Sequence, residues 1–238
     1  MHSLPSHVKI LTVLAFILVV VATPIQSWAS FILFFTLVIA VALVAKIPLP
    51  TLFKRALVEI PFILFAVLMP FFGNGERFQF GPFNLYREGA IAGLSIVAKG
   101  SLGVLSAVIL STTTTAREIL RGLERLKLPL IMVQIASFML RYVNVISDEM
   151  ERMKIARESR GFEATGIKHW KILATSAAAL FIRSYERGER VHLAMLSRGF
   201  DGALPQLERA TVSSKTWVAA LSIPLIALTG SLLIRLIG

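Results

Sequence analysis

Apolar and polar positions divide the chain into long uncharged runs towards both ends and a charged middle. The runs from about Val8 to Thr23, Trp28 to Ala45, Leu57 to Phe72, Gly89 to Ser111 and Trp217 to Ile234 each approach the roughly 20 residues of a membrane-crossing helix. The first is short and stops at Pro24. Trp28 opens the second at an interfacial aromatic position, and the third contains Pro61 and Pro70. Proline is tolerated there if neighbouring helices cover the freed carbonyls. Between the third and fourth runs, the aromatic, glycine-rich stretch Gly73 to Glu88 predicts a short re-entrant or hairpin loop. In the fourth, Gly89 with Gly93 and Gly103 with Ala107 form small-xxx-small pairs, which predict close helix contact.

In the middle section the period becomes that of amphipathic helices. Thr115-Ala116-Arg117-Glu118 predicts a capping box. The helix it opens has Ala116, Ile119, Leu120, Leu123 and Leu126 on one face and Arg117, Arg121 and Arg125 on another, and Pro129 ends it. Such a helix suits the membrane surface, a partner or the base of its own bundle. Two long runs follow, Leu130 to Arg160, about 46 Å if helical, and His169 to Arg198. Both begin apolar and end charged, as expected of helices that start in or against a membrane and finish in water.

Composition turns this pattern into a fold class. The chain has 238 residues, 55% of them hydrophobic, and a mean hydropathy of +0.74, too apolar for a soluble domain of this size. The expectation is an all-α polytopic membrane protein with about five transmembrane helices. Four lie in residues 1–111 and the fifth in 216–238, with a cytoplasmic domain of about three helices at 112–215. Charge orients it. Residues 111–215 hold 17 Lys or Arg against 11 acids, a net of +6, while the loops at 24–27 and 73–88 carry no net charge. Basic loops face the cytoplasm, so the middle section and the loop Lys46 to Arg55 belong inside, with the N-terminus inside and the C-terminus outside.

The same inventory narrows the chemistry. The formal charge of +11 would suggest nucleic acid in a soluble chain, but acids are interleaved through the basic section and the bilayer explains the bias better. Cysteine is absent, which removes disulfides, thiolate nucleophiles and cysteine-ligated metals. No G-x-x-x-x-G-K-[ST] motif occurs, so the chain is not expected to bind ATP. His2, His7, His169 and His192 lack metal-ligand spacing, so neither a metal nor another cofactor is expected. A membrane-embedded enzyme is the rival class, but its acid cluster would be Asp148, Glu149 and Glu151, which sit beside Arg152 and Lys154 on a long helix. Lys99, well inside the fourth run, is expected to pair with Glu59 or a partner, or to snorkel into a crevice.

Both long middle runs end in the same phrase. Ala156-Arg157-Glu158-Ser159-Arg160-Gly161-Phe162-Glu163 is matched 38 positions later by Ala194-Met195-Leu196-Ser197-Arg198-Gly199-Phe200-Asp201. Gly161 and Gly199 suit the left-handed residue after a helix, and Phe162 and Phe200 suit the apolar position that follows in a Schellman ending. Arg160 and Arg198 then stand where a cation complements exposed carbonyls. One copy needs no further explanation. A stop signal does not require the same Ser, Arg, Phe and acid twice, so the repeat points to two equivalent receptors, either two copies of one soluble partner or two related ones.

At these residues the chain resembles the transmembrane T component of energy-coupling factor (ECF) transporters, in particular the cobalt-type (CbiQ) branch. That family has coupling helices ending in Ala-Arg-Gly-like tripeptides, matched here by Ser159-Arg160-Gly161 and Ser197-Arg198-Gly199. Glu88-Gly89, Pro129 and Arg141-Tyr142 are further matches, and Ser replaces the commoner Ala in both tripeptides. The resemblance implies that residues 112–215 form a coupling domain whose two arginines each engage one of two ABC-type ATPase subunits. Phe162, Phe200 and Arg141 would have supporting roles. It further implies a separate substrate-capture membrane protein as partner and ATP used by the partner subunits only. The chain itself would be a non-catalytic subunit in the cell membrane. Cobalt is the cargo it favours, with nickel or a vitamin such as biotin as alternatives.

Overall fold

The computed structural model describes residues 4–72, 77–80, 83–162, 169–202 and 213–237. His2, Glu163 and the loop positions 73–76 and 81–82 lie outside them. The chain forms two compact units, residues 1–122 with 210–238, and residues 123–209.

The first unit is built from α1 (Ser6–Ala22), α2 (Trp28–Val44), α3 (Leu49–Ala56), α4 (Ile60–Leu68), α5 (Arg87–Thr113), the start of α6 (Ala116–Arg125) and α9 (Ser214–Ile237). Helix α5 is central and touches α1, α2, α3 and α4, while α9 packs on α1 and α2. Phe34 is fully buried and meets Phe16 and Phe31 edge-on, each with ring centroids 5.9 Å apart. Leu52, Leu102, Leu105 and Ile109 continue this core. The outward side chains are also apolar, among them Leu18, Ile32, Phe62, Leu64 and Phe65. A surface of this kind fits lipid rather than water.

Among the described residues, three helical segments are long and apolar enough to cross a bilayer, Arg87–Thr113, Leu130–Glu158 and Thr216–Leu236, and α1 and α2 are shorter apolar helices. The third sequence-predicted span is not one regular helix. It divides into a 3-10 turn (Leu57–Glu59), α4 and a second 3-10 turn (Met69–Phe71). Pro61 falls in the first turn of α4 and Pro70 in the closing 3-10 turn, where each removes an N–H from the helical ladder. The predicted hairpin is present as β1 (Arg77–Phe80) antiparallel to β2 (Phe83–Tyr86), pairing Arg77 with Tyr86 and Phe80 with Phe83.

The last carbonyls of a helix have no partner within it, and here lysine and arginine from neighbouring helices reach them. Lys9 Nζ on α1 donates to Thr113 O at the end of α5 (2.9 Å) and to Thr114 Oγ1 (3.3 Å). In the reverse direction Lys99 Nζ on α5 donates to Val21 O at the end of α1 (2.8 Å), and Arg235 Nη2 on α9 to Ala22 O (3.1 Å). Lys99 therefore completes a helix end and does not pair with Glu59. The Glu59 carboxylate, only 3% exposed, accepts a hydrogen bond from Ser101 Oγ (3.1 Å), and a Cβ at Gly100 would lie 2.7 Å from it.

The small-residue pattern on α5 is half correct. Side-chain atoms at Gly89 and Gly93 would collide with the backbone carbonyls of Met69 and Ala66, whereas Gly103 faces open space and Ala107 is exposed.

The capping box forms as its spacing predicts. Glu118 Oε2 accepts the Thr115 amide (2.8 Å) and hydroxyl (3.0 Å), and Glu118 N donates to Thr115 Oγ1 (3.4 Å). Among the readings open to this helix, the structure favours packing on its own bundle, because Gly122 is buried against Ser6, His7 and Ile10 of α1. The bonds from the Thr115 amide and hydroxyl hold the Glu118 carboxyl below its ordinary 4.5. A depressed carboxyl stabilises the fold fully above that ordinary value and progressively less as pH falls through its folded value. Amide exchange in the first turn of α6, corrected for intrinsic rates, is therefore expected to quicken below about pH 4.5. Glu118→Gln should flatten that profile, by less than about 1 kcal/mol because the box is exposed.

The second unit contains the end of α6, α7 (Leu130–Glu158) and α8 (Trp170–Leu196). Three contacts give their direction. Arg183 Nη1 pairs with Glu149 Oε1, Arg157 Nη1 donates to Ser176 Oγ (2.8 Å), and the Phe162 and His169 rings meet edge-on at 5.2 Å. The positions rise along α7 as they fall along α8, so the two helices form an antiparallel hairpin.

Candidate functional site

Through Phe162 and Phe200 the two repeated phrases make the same backbone bonds. Phe162 N donates to Arg157 O (3.1 Å) and Gly161 N to Glu158 O (2.9 Å), while Phe200 N donates to Met195 O (3.0 Å) and Gly199 N to Leu196 O (3.0 Å). These are the two bonds of a Schellman ending, and they place Arg160 and Arg198 just past the last helical turn, immediately before the left-handed glycines. Gly161 and Gly199 have φ of +72° and +80°, a region that L side chains enter only with strain.

The serines also act alike. Ser159 Oγ donates to Ala156 O (3.2 Å) and Ser197 Oγ to Ala194 O (3.0 Å), each satisfying a carbonyl of the last turn. The alanine three positions before each serine was the available sequence signal, since a small residue there leaves room beside the bond. Once backbone and serine are accounted for, the guanidinium groups remain. Ser, Arg and Gly are exposed at both ends, and Phe162 and Phe200 are half-buried. Among the described residues, the guanidinium groups of Arg160 and Arg198 have no hydrogen-bond or ion-pair partner. Asp201, which closes the second copy, has an interaction of its own.

Two other helices end in the same way without glycine. Ile47 N donates to Ala42 O (3.1 Å) after Lys46 (φ +54°), and Leu128 N to Leu123 O (3.2 Å) after Lys127 (φ +63°). Sequence reasoning missed both. The signal was Lys-Ile-Pro at 46–48 and Lys-Leu-Pro at 127–129, with proline blocking continuation of the helix. These endings show that the fold can stop a helix on lysine, so helix termination alone does not account for Ser-Arg-Gly-Phe.

The tips lie far apart. Arg160 stands at the closed end of the hairpin, where α8 begins, and Arg198 stands at the far end of α8, about 40 Å away along a 27-residue helix. Arg141 is exposed on α7, about 28 Å along the helix from Arg160, and is not brought to either tip. His7 lies at the start of α1 against Trp217, with ring centroids 5.7 Å apart.

The family model described as cobalt transport protein, CbiQ, matches residues 1–210. An uncharacterized protein of Methanocaldococcus jannaschii is 33% identical over 177 residues, covering 71% of this chain and 66% of that protein. The energy-coupling factor transporter transmembrane protein EcfT of Bacillus subtilis is 27% identical over 216 residues, 84% of this chain and 80% of that protein. The protein of the same name from Listeria innocua is 27% identical over 217 residues, 85% of this chain and 81% of its own. With its apolar helices, its paired helix ends and a family match over residues 1–210, the chain belongs to the CbiQ family of cobalt transport proteins and is a membrane transport component rather than an enzyme.

Proposed function

We propose that this chain is the coupling subunit of an energy-coupling-factor importer, in which Arg160 and Arg198 each seat on one of two ABC-type ATPase subunits. The observation that carries this reading is the pair of identically capped, exposed arginine tips about 40 Å apart on one hairpin. That separation is too great for one small contact and suits two. Arginine fits the task because its planar fork can bond carboxylates or carbonyls in a fixed geometry. Rigid helical rods behind the tips would carry displacement of the ATPases towards the membrane, where a separate capture protein releases its cargo inward. The basic middle section is assigned to the cytoplasm, which puts both tips on the ATP side, the N-terminus inside and the C-terminus outside.

Cobalt is the proposed cargo, supported by the description of the matched family. Nickel and a vitamin such as biotin are the alternatives, since among the described residues no cluster of metal-ligating side chains favours one cargo. The reading predicts that the chain, expressed with its neighbouring genes and solubilised in mild detergent, copurifies with an ABC-type ATPase and a second membrane protein. Cells carrying all of these genes should accumulate radiolabelled cobalt in preference to nickel or biotin. A chain that purifies without an ATPase would overturn the coupling role, and preferential nickel or biotin uptake would overturn the cargo assignment alone.

A further inference from the structure

The two tips share a backbone but not surroundings. Arg160 lines an open groove between α7 and α8 together with Arg152, Arg157 and Arg183, and the acid in its walls is Glu149. Glu149 is already taken by Arg183. Arg157 gives one N–H to the neutral Ser176 hydroxyl, which leaves its charge uncompensated. Arg152 is exposed and, among the described residues, its side chain has no hydrogen-bond or ion-pair partner. Four guanidinium groups against one carboxylate give this groove a net charge of +3. Arg198 does not line it. Like charges gathered on one concave surface repel each other unless an anion lies among them, and low-dielectric walls concentrate their field.

We infer that this groove receives an acidic segment, bearing Asp or Glu, of the soluble partner that Arg160 contacts, with Arg152 and Arg157 as further contact residues. The inference rests on the proposed coupling role and deepens it, because the two partner contacts become electrostatically unequal. The Arg160 side is a charge-steered contact whose strength falls with salt, and Arg198 has no share in this groove. Arg152 is the cleanest probe, since reversing it breaks no bond seen among the described residues.

The test uses the full complex in nanodiscs, with partner retention measured from low to high salt. Arg152→Glu is expected to weaken retention of the ATPase about tenfold at low salt and to flatten its salt dependence. The same reversal at Arg190, which pairs with the exposed Glu186 at 4.0 Å and does not line the groove, should leave both unchanged. The chain has no cysteine of its own, so Arg152→Cys offers a unique attachment point for a photo-crosslinker. Its adducts should map to an Asp- or Glu-rich segment of the ATPase. If the wild-type chain retains no ATPase, the coupling role itself fails. If it does, but Arg152→Glu matches wild type in both strength and salt slope, the groove inference alone is overturned. A defect that appears only in nanodiscs containing phosphatidylglycerol, and not in pure phosphatidylcholine, would assign the groove to lipid headgroups and overturn it equally.

Discussion

Reversing both tips, Arg160→Glu with Arg198→Glu, is expected to leave the chain inserted and folded while abolishing ATPase copurification and transport. Both side chains are exposed, and among the described residues neither has a partner to lose. The folding cost should be limited to an acid at a helix C-terminus, about 0.3–1 kcal/mol each. Truncating one buried charged contact at an interface costs about 2–5 kcal/mol, or about 30- to 4,000-fold in affinity. Each single variant should keep a weakened complex through the remaining tip, because tethering makes the second contact intramolecular, and the double variant removes that support. Arg160→Gln with Arg198→Gln separates the contributions. It retains helix stability yet loses the charge-assisted fork, so it should also lose the ATPase. Unchanged copurification and uptake in the double reversal would sink the coupling mechanism.

The reason this prediction can be made at the level of two residues is that the repeat was legible in sequence down to its hydrogen bonds. A Schellman ending is local, and its requirements appear within six consecutive residues. The capping box at Thr115 and Glu118 was legible for the same reason. The loop at 73–88 was also readable as a hairpin, because its turn residues and apolar flanks are adjacent.

What the sequence concealed depends on distance along the chain. Lys99 and Val21 are separated by 78 positions, and Lys9 and Thr113 by 104, so no local pattern announces that these lysines complete each other's helix ends. An intramembrane lysine invites a search for an acid, and Glu59 was the one in reach. A helix carbonyl serves as well, because the end of a helix carries about half a negative charge. The basic groove was hidden similarly. Arg183 and Arg157 belong to different helices and meet only once the hairpin closes.

Glycine on α5 shows the limit of pattern reading most clearly and supplies the second large effect. Gly89, Gly93 and Gly103 look equivalent in sequence, yet a side chain at the first two would meet backbone and at the third would meet nothing within 4 Å. Gly93→Leu is therefore expected to drive α5 away from Ala66 of α4, and Gly103→Leu to be close to neutral. Helix α4 has nine residues, with Pro61 in its first turn and Pro70 just past its end, which restricts its freedom to tilt or shift register in response. Overpacking alone costs about 1–3 kcal/mol, and separating the helices would also pull Glu59 from Ser101 Oγ within the same interface. Thermal unfolding of the purified chain in detergent should show Gly93→Leu melting several degrees below wild type and Gly103→Leu within about a degree of it. Equal melting of the two variants would mean that the contact between α4 and α5 does not depend on glycine. The asymmetry follows from atom positions rather than from residue type, because a methyl group can be accommodated beside a flexible side chain but not beside the carbonyl of a rigid helix.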